Sequence, residues 1–187
     1  MLASTVAAVK RFVAACVVIG PFLLAGCGGG SSASVSLPAS SISPKGQTIS
    51  DVVVERVVDG DTFKIRQDGK ELSVRMIGLD TPETVKPNTP VACYGPEASD
   101  FTKAALSGKK VTLEFDESQG ATDKYGRMLA YVWVPSGSQM TFFNEALIAG
   151  GYAEEVQYAA PYRWQSEMSA AEQRAQSARV GLWGACR

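Results

Sequence analysis

The 187-residue chain contains no histidine. A histidine-based catalytic triad, a histidine–metal nuclease centre and a typical zinc hydrolase site are therefore excluded, because each uses imidazole as a base or a ligand. Any acid–base or metal chemistry must use carboxylates, arginines, lysines, tyrosines or cysteines. The rest of the composition is ordinary for a globular protein, with 45% hydrophobic and 20% charged residues.

The N-terminal apolar stretch is too short to span a bilayer comfortably. It covers Phe12 to Gly26, which is 15 residues, whereas a membrane-spanning helix needs about 20. Lys10 and Arg11 precede it, as in the charged start of a signal peptide. We therefore predict that residues 1–26 are a signal peptide.

The apolar stretch ends in Leu24-Ala25-Gly26-Cys27, which resembles a bacterial lipobox. The resemblance implies cleavage before Cys27 and lipidation of that cysteine. The protein would then be exported and anchored by lipid to the bacterial membrane, facing outside the cytoplasm. A chance cysteine is one alternative, and an uncleaved membrane anchor with the same topology is another.

The segment that follows has little with which to build a core. Serine, glycine and proline occupy 13 of the 21 positions in 28–48. Such a composition cannot bury enough apolar surface to fold, so 27–48 is predicted to be the lipidated cysteine and a flexible linker. As a flexible coil it would reach roughly 25 Å. The folded domain is then predicted to cover 49–187.

Positive charge is in deficit in this domain. It carries 15 Lys and Arg against 19 Asp and Glu, a net charge of −4. Proteins that bind nucleic acid non-specifically are usually basic, so the balance argues against strong non-specific affinity for DNA.

Cysteine is scarce, with four residues in the chain. Cys16 would leave with the signal peptide and Cys27 would carry the lipid, so Cys93 and Cys186 remain. An even pair in an exported protein is predicted to form a disulfide. This one would tie the C-terminal tail to the loop before the first helix. Two separate free thiols are the alternative.

The hydrophobic pattern of the domain predicts an α+β fold that is mainly β. Val-rich and alternating segments, separated by Asp59-Gly60 and Asp68-Gly69, indicate a three-stranded meander whose third strand runs from Leu72 to Leu79. We predict further strands over 111–115 and 128–134, and helices over 96–108, 142–149 and 163–179. Five short strands with inserted helices favour a small closed barrel, but an open α+β sheet fits the same pattern.

Oxygen-bearing residues follow two of the predicted turns. Asp61 comes just after the first tight turn, and Asp80 ends the third strand. Carboxylates and carbonyls are the ligands that Ca²⁺ accepts, so Asp61, Asp80 and the carbonyl of Thr81 are candidate ligands. A surface position is the plain alternative for each aspartate, and turn preference explains Asp59.

Three further charged residues suit phosphodiester hydrolysis. Glu83 lies three residues after Asp80, where it can deprotonate an attacking water. Arg75 and Arg127 have the planar guanidinium that binds phosphate oxygens. Taken singly, each of the three has an ordinary salt-bridge explanation.

Together these residues belong to a series of motifs that resembles the staphylococcal nuclease family in order and spacing. The motifs are Asp59-Gly60-Asp61-Thr62, Arg75…Asp80-Thr81-Pro82-Glu83-Thr84, Tyr94-Gly95-Pro96-Glu97-Ala98-Ser99, Thr122-Asp123-Lys124-Tyr125-Gly126-Arg127 and Asn144-Glu145-Ala146-Leu147. The resemblance implies a five-stranded barrel of the oligonucleotide-binding (OB) type with about three helices. It also implies a Ca²⁺-dependent endonuclease acting on DNA and RNA, with other divalent ions possible.

The resemblance carries over to single positions. It implies Asp61, Asp80 and Thr81 as calcium ligands and Glu83 as the base. It implies Asp59 as a residue near the metal that does not bind the ion directly. It implies Arg75 and Arg127 as the residues that hold the scissile phosphate, and Lys124 and Tyr125 as nucleotide-pocket residues.

Two features depart from the family pattern. Tyr158 is a weaker candidate for the nucleotide pocket, because its register is displaced by one position. Glu154 and Glu155 add negative charge where lysine or a neutral residue is expected, which predicts weaker binding of a polyanion.

Three hypotheses follow for the function. The first is a monomeric nuclease that cleaves single-stranded DNA or RNA and is held at the membrane through Cys27. The second is a non-catalytic module of the same barrel that binds a nucleic acid or a protein. The third is a surface-displayed structural protein in which the charged residues form salt bridges.

Overall fold

The structure is a computed structural model that describes residues 35–85 and 89–186. The predicted signal peptide, 1–26, and the predicted lipidation site, Cys27, lie outside the described residues. Within the described ranges, no helix is long and apolar enough to cross a membrane.

Five strands form the closed barrel that the sequence predicts. The strands of the described residues are β1 (Thr48–Asp59), β2 (Thr62–Gln67), β3 (Lys70–Met76), β4 (Leu79–Asp80), β5 (Lys110–Glu114), β6 (Met128–Ser136), β7 (Gln139–Phe142) and β8 (Glu154–Glu155). In the barrel, hydrogen bonding runs in the order β3-β2-β1-β5-β6, and a parallel pairing of β3 with β6 closes the sheet. A further strand, β7, continues β6 as a hairpin.

The meander forms where the two Asp-Gly pairs predicted it. Asp59 pairs with Thr62 across the first turn, and Gln67 pairs with Lys70 across the second. In the second turn both Asp68 and Gly69 have positive φ, at 49° and 78°. Two consecutive positive φ angles are typical of the tight turns that suit strand twist, which explains why Asp-Gly is favoured there.

The third strand is shorter than its apolar pattern suggests. It was predicted to continue to Leu79, but β3 ends at Met76 and the chain turns at Gly78, where φ is 78°. Leu79 and Asp80 then form β4, which pairs with β8. The turn therefore takes Asp80 out of the barrel sheet and pairs it with β8.

Within the described residues, three main helices are present, as predicted, together with one short additional helix. They are α1 (Gly95–Leu106), α2 (Phe143–Ala149), α3 (Gln165–Ala178) and α4 (Leu182–Ala185). The observed bounds lie within two residues of the predicted ones. Pro96 stands in the first turn of α1, where a missing N–H costs no hydrogen bond.

A buried carboxylate joins several of these elements. Glu114, at the end of β5, is fully buried and accepts hydrogen bonds from the indole N–H groups of Trp133 and Trp164. It also forms an ion pair with Arg163 at 2.9 Å. The backbone N–H groups of Lys45 and Gly46 donate to it as well. Glu114 therefore connects β5, β6, the start of α3 and the segment before β1.

The C-terminal half of the predicted linker is not free of the barrel, and that part of the prediction is wrong. Leu37 and Ile42 pack against the core. The backbone of Ser40 donates to Met140 O at 2.9 Å, and Thr141 donates to Pro38 O at 2.6 Å. Serine and proline made this segment look like a linker, but its backbone hydrogen bonds to β7.

The predicted disulfide between Cys93 and Cys186 is present. Cys93 lies just before α1, and Cys186 follows α4. The bridge ties the C-terminal tail to the loop ahead of the first helix, as the cysteine count predicted.

Candidate active site

Strand pairing brings the segments that carry Asp61, Arg75 and Arg127 to one part of the barrel. Thr62, next to Asp61, pairs with Arg75 across β2 and β3. Arg75 in turn pairs with Leu129 of β6, two residues after Arg127. The segments carrying Asp61, Arg75 and Arg127 therefore meet because β3 lies between β2 and β6.

Arg75 contacts two of the predicted metal ligands at once. One guanidinium nitrogen lies 2.5 Å from Asp61 Oδ2, and another lies 2.5 Å from Asp80 Oδ1. The second nitrogen also donates to Leu79 O and lies 3.1 Å from the hydroxyl of Tyr158. The two aspartates, 19 residues apart in the chain, are thus brought to one guanidinium.

Asp61 is a buried carboxylate that accepts hydrogen bonds from Thr62 and Thr81. Only 3% of the surface of Asp61 is exposed to solvent. The Thr62 hydroxyl donates to Oδ1 at 2.8 Å, and the N–H and hydroxyl of Thr81 lie 3.2 Å from Oδ2. Burial raises the pKa of Asp61, and the nearby charge of Asp80 acts in the same direction, while Arg75 and the hydrogen bonds oppose the rise.

The oxygen donors at this position fit a hard divalent cation. Asp61 and Asp80 both contact Arg75, and Thr81 is hydrogen-bonded to Asp61, so these three oxygen-bearing residues lie close together. In the described part of the chain, no group of three or more His, Cys, Asp and Glu side chains is arranged to hold a metal. A cation here would therefore need carbonyl, water or ligand oxygens in addition, which Ca²⁺ readily accepts.

Arg127 forms an ion pair with the carboxylate of Asp123. Its Nε and Nη2 both lie 2.6 Å from Asp123 Oδ2. Burial would raise the pKa of Asp123, but hydrogen bonds from the backbone and side chain of Arg127 and from the backbone of Tyr125 lower it overall. Arg127 Nη1 also lies 3.4 Å from the hydroxyl of Thr62. Thr62 therefore contacts both Asp61 and Arg127.

Each guanidinium has an exposed tyrosine beside it. Tyr125 is 70% exposed, and its ring centre lies 5.3 Å from Arg127 and 5.1 Å from the amine of Lys124. Tyr158 is 65% exposed, and its ring centre lies 5.8 Å from Arg75. Exposed aromatic rings next to cations are the arrangement on which nucleic-acid bases stack. The weaker candidate, Tyr158, is thus at the site.

Glu83 lies in the loop that follows β4. Its carboxylate accepts a hydrogen bond from Val85 N at 2.8 Å, and its carbonyl accepts one from Ala92 N at 2.9 Å. The side chain is half-buried. Glu83 is thus two residues from Thr81, in a loop whose two ends are hydrogen-bonded together.

Asp59 supports this loop from the first turn. It accepts the Thr84 hydroxyl at 2.6 Å and the Gly60 N–H at 2.9 Å. It therefore holds Thr84, the residue after Glu83.

Three polar residues of the site were not singled out from the sequence: Thr62, Thr84 and Asp123. Each stands inside a motif next to a candidate. Their roles depend on hydrogen bonds between segments, which spacing along the chain does not reveal.

The two unexpected acids have different environments. Glu155 accepts the hydroxyl of Tyr162 at 2.6 Å. Glu154 pairs with Asp80 across β8 and β4, and both line a cleft of about 410 Å³. Of the two acids, Glu154 is therefore the one that lines the cleft beside Asp80.

Comparison with known proteins gives consistent matches. A family model described as "Staphylococcal nuclease homologue" matches residues 73–185. A "Thermonuclease" from Staphylococcus hyicus is 50% identical over 130 residues, covering 70% of this chain and 73% of that protein. A "Thermonuclease" from Staphylococcus intermedius is 46% identical over 131 residues, covering 70% and 74%. "Endonuclease YncB" of Bacillus subtilis (strain 168) is 40% identical over 135 residues, covering 71% and 61%.

Proposed function

The chain belongs to the staphylococcal nuclease family, and on that basis we propose that it is a calcium-dependent nuclease that hydrolyses phosphodiester bonds of DNA and RNA. The names of its relatives support a nuclease. The residues of the candidate site support the finer assignment of roles.

One observation carries the proposal: the guanidinium groups of two arginines reach the neighbouring residues Asp61 and Thr62. Arg75 contacts Asp61 directly, and Arg127 reaches the same place through the Thr62 hydroxyl. A phosphodiester carries negative charge that increases on its oxygens during attack by water. Two fixed cations on one side of it would stabilise that charge.

In this proposal Arg75 and Arg127 hold the scissile phosphate. Arg75 has both ends of its guanidinium on carboxylates, so it must exchange at least one of them for phosphate oxygens. Arg127 keeps two nitrogens on Asp123 and can direct Nη1 to the substrate. Asp123 would thus position Arg127 without contacting the phosphate.

Asp61, Asp80 and Thr81 would hold the calcium ion. When bound there, the ion supplies positive charge beside the phosphate and lowers the pKa of a neighbouring water. Glu83 takes the proton of the attacking water. Asp59 keeps the Glu83 loop in place through Thr84.

The exposed aromatic residues suit a single-stranded substrate. Tyr125 and Tyr158 present their rings beside Arg127 and Arg75, and Lys124 adds a cation at Tyr125. Bases stack on such rings only when they are not paired within a duplex. Single-stranded DNA or RNA is therefore the proposed substrate, bound by a monomer.

Export and lipid anchoring at Cys27 also form part of the proposal. The lipobox-like Leu24-Ala25-Gly26-Cys27 and the preceding apolar run support it. A cell that expresses the full chain and is fed a radiolabelled fatty acid should label the protein in its membrane fraction. The Cys27→Ala variant should not be labelled, and equal labelling of both proteins would contradict this assignment.

Digestion of a single-stranded DNA oligonucleotide tests the nuclease proposal. Purified protein comprising residues 35–187 should cleave it with Ca²⁺ and stop when EDTA is added. Binding of the oligonucleotide without cleavage in any divalent metal would favour a non-catalytic binding module. Lack of both binding and metal-induced thermal stabilisation would favour a structural role.

A further inference from the structure

The Cys93–Cys186 disulfide lies beside the candidate site. Both cysteines line the cleft of about 410 Å³ that Asp80, Thr81 and Pro82 also line. A disulfide that served only to tie down a chain terminus would not need this position. The residues around Cys93 contact the loop of Glu83, and those around Cys186 lead to the strand that pairs with Asp80.

On one side the bridge leads directly to Glu83. Ala92, the neighbour of Cys93, donates its N–H to Glu83 O at 2.9 Å. The backbone at Gly95 also lies against this segment: an added Cβ would be 2.8 Å from Thr84 Cγ2 and 3.0 Å from Pro82 O. The chain around Cys93 is therefore the surface on which Pro82–Thr84 rests.

On the other side the bridge leads to Asp80. Cys186 N donates to Leu182 O at 3.0 Å, and Leu182 N donates to Gly151 O at 2.9 Å. Leu182 is buried, so this short helix is packed in place. Three residues after Gly151 the chain forms β8, where Glu154 pairs with Asp80.

These contacts form a closed ring around the cleft. The ring runs from Asp80 through the following loop to Glu83, across to Ala92 and Cys93, through the disulfide, and back by α4 and β8. The disulfide is the covalent link that joins the Glu83 side of this ring to the Asp80 side. We propose that it is a positioning element, which fixes the loop of the base relative to the metal-binding residues. This inference rests on the proposed nuclease function and on the role of Glu83 in it.

Positioning and stability are separate consequences of such a bridge. A disulfide stabilises a fold mainly by restricting the unfolded chain, whichever residues lie near it. Placement of a catalytic group is more sensitive, because a displacement of about 1 Å can lower the rate by about a hundredfold. Arg127 and Tyr125 lie on a different segment from the ring, where Asp123 holds Arg127. Arg75 touches the ring at Asp80 but is also held by Asp61, outside it. Binding of the substrate should therefore survive the opening of the ring.

The test compares the rate constant kcat with KM in the Cys93→Ser/Cys186→Ser double variant. The substrate is a single-stranded DNA oligonucleotide with Ca²⁺, at a temperature well below the melting temperature of every protein. The expected kcat falls by on the order of tenfold to a hundredfold, while KM changes by less than about twofold. Unchanged kcat in a folded double variant would overturn the proposal.

Thr141→Val is the control for lost stability. Thr141 donates to Pro38 O and lies outside the ring, so this variant should melt at a lower temperature and keep the wild-type kcat. A kcat loss in the control as large as in the double variant would also overturn the proposal.

A second variant keeps the test decisive if the double variant does not fold. Gly95→Ala leaves the disulfide intact and suits a helix, but its methyl group presses on Thr84 and Pro82. It should lower kcat without raising KM, and wild-type kcat in this variant would contradict the inference. An inactive wild-type protein would instead refute the nuclease function, and wild-type activity in Glu83→Gln would refute the role of Glu83.

Discussion

Arg75 forms an ion pair with Asp61 across β3 and the first turn, with 2.5 Å between a guanidinium nitrogen and Oδ2. Asp61 is almost fully buried, and Arg75 is 13% exposed at its side chain. The same guanidinium also contacts Asp80. Arg75 therefore occupies, with its own charge, the position at which the two predicted calcium ligands meet.

This arrangement predicts that Arg75 and calcium compete for the aspartates. Arg75→Ala removes the competing cation, so Ca²⁺ should bind more tightly, by roughly tenfold for each ~1.4 kcal/mol of repulsion removed. Calorimetric titration of Ca²⁺ without substrate measures this. Arg174→Ala, which removes an exposed arginine paired with Glu145, is the control and should leave the affinity unchanged. Weaker calcium binding in Arg75→Ala would contradict the competition.

The hydrogen bond between Thr84 and Asp59 predicts an effect on turnover. Thr84→Val keeps the shape of the side chain but removes the hydroxyl that donates to Asp59 at 2.6 Å. The residue after Glu83 is then held less firmly, and kcat should fall on the order of tenfold with KM nearly constant. Steady-state kinetics on a single-stranded oligonucleotide measure this. The control is Ser177→Ala, which removes a hydroxyl within α3 and should retain full activity.

The buried carboxylate of Glu114 predicts a large effect on stability. Five donors surround it: two indoles, two backbone N–H groups and Arg163. Glu114→Gln introduces an NH₂ group among donors and leaves Arg163 without its anion. The free energy of unfolding should fall by about 3 kcal/mol. Urea denaturation measures it, with the exposed Glu117→Gln as the control, and equal stability of the two variants would contradict this account.

A pH dependence follows from Asp116. Burial would raise its pKa, but hydrogen bonds from Arg163 N, Tyr131 and Ser118 lower the pKa below its usual value. Stabilisation by a carboxylate with a lowered folded pKa is present above the unfolded pKa of about 3.9 and is lost as the pH falls through the folded value. The stability difference between wild type and Asp116→Asn should therefore be constant at neutral pH and shrink below about pH 4. Denaturation curves measured at several pH values test this, and a difference that does not vary with pH would contradict it.

The barrel and most of the candidate site were predictable because both depend on short motifs. The Asp-Gly pairs set two hairpin turns, and the even cysteine pair predicted the disulfide. The order of the charged motifs indicated the family, and strand pairing then brought Asp61, Arg75 and Arg127 together.

Other features depend on contacts that the local sequence does not encode. Ser40 and Pro38 look like linker residues, yet their backbone groups pair with β7. The register of Tyr158 looked wrong by one position, but its hydroxyl reaches Arg75. Thr84 gains its role only because Asp59, 25 residues earlier, lies next to it.

The most direct measurement of the central claim is the Ca²⁺-dependent cleavage rate of a single-stranded DNA oligonucleotide by Glu83→Gln and Arg127→Ala, each compared with wild type. The account predicts that wild type cleaves with Ca²⁺ and stops when EDTA is added, and that Glu83→Gln lowers kcat by about 10²–10⁴-fold. Arg127→Ala should lower it by about 10²–10³-fold. Both variants should remain folded and still bind Ca²⁺. Wild-type rates in either variant would contradict the claim that this acid and this guanidinium act on the same phosphate.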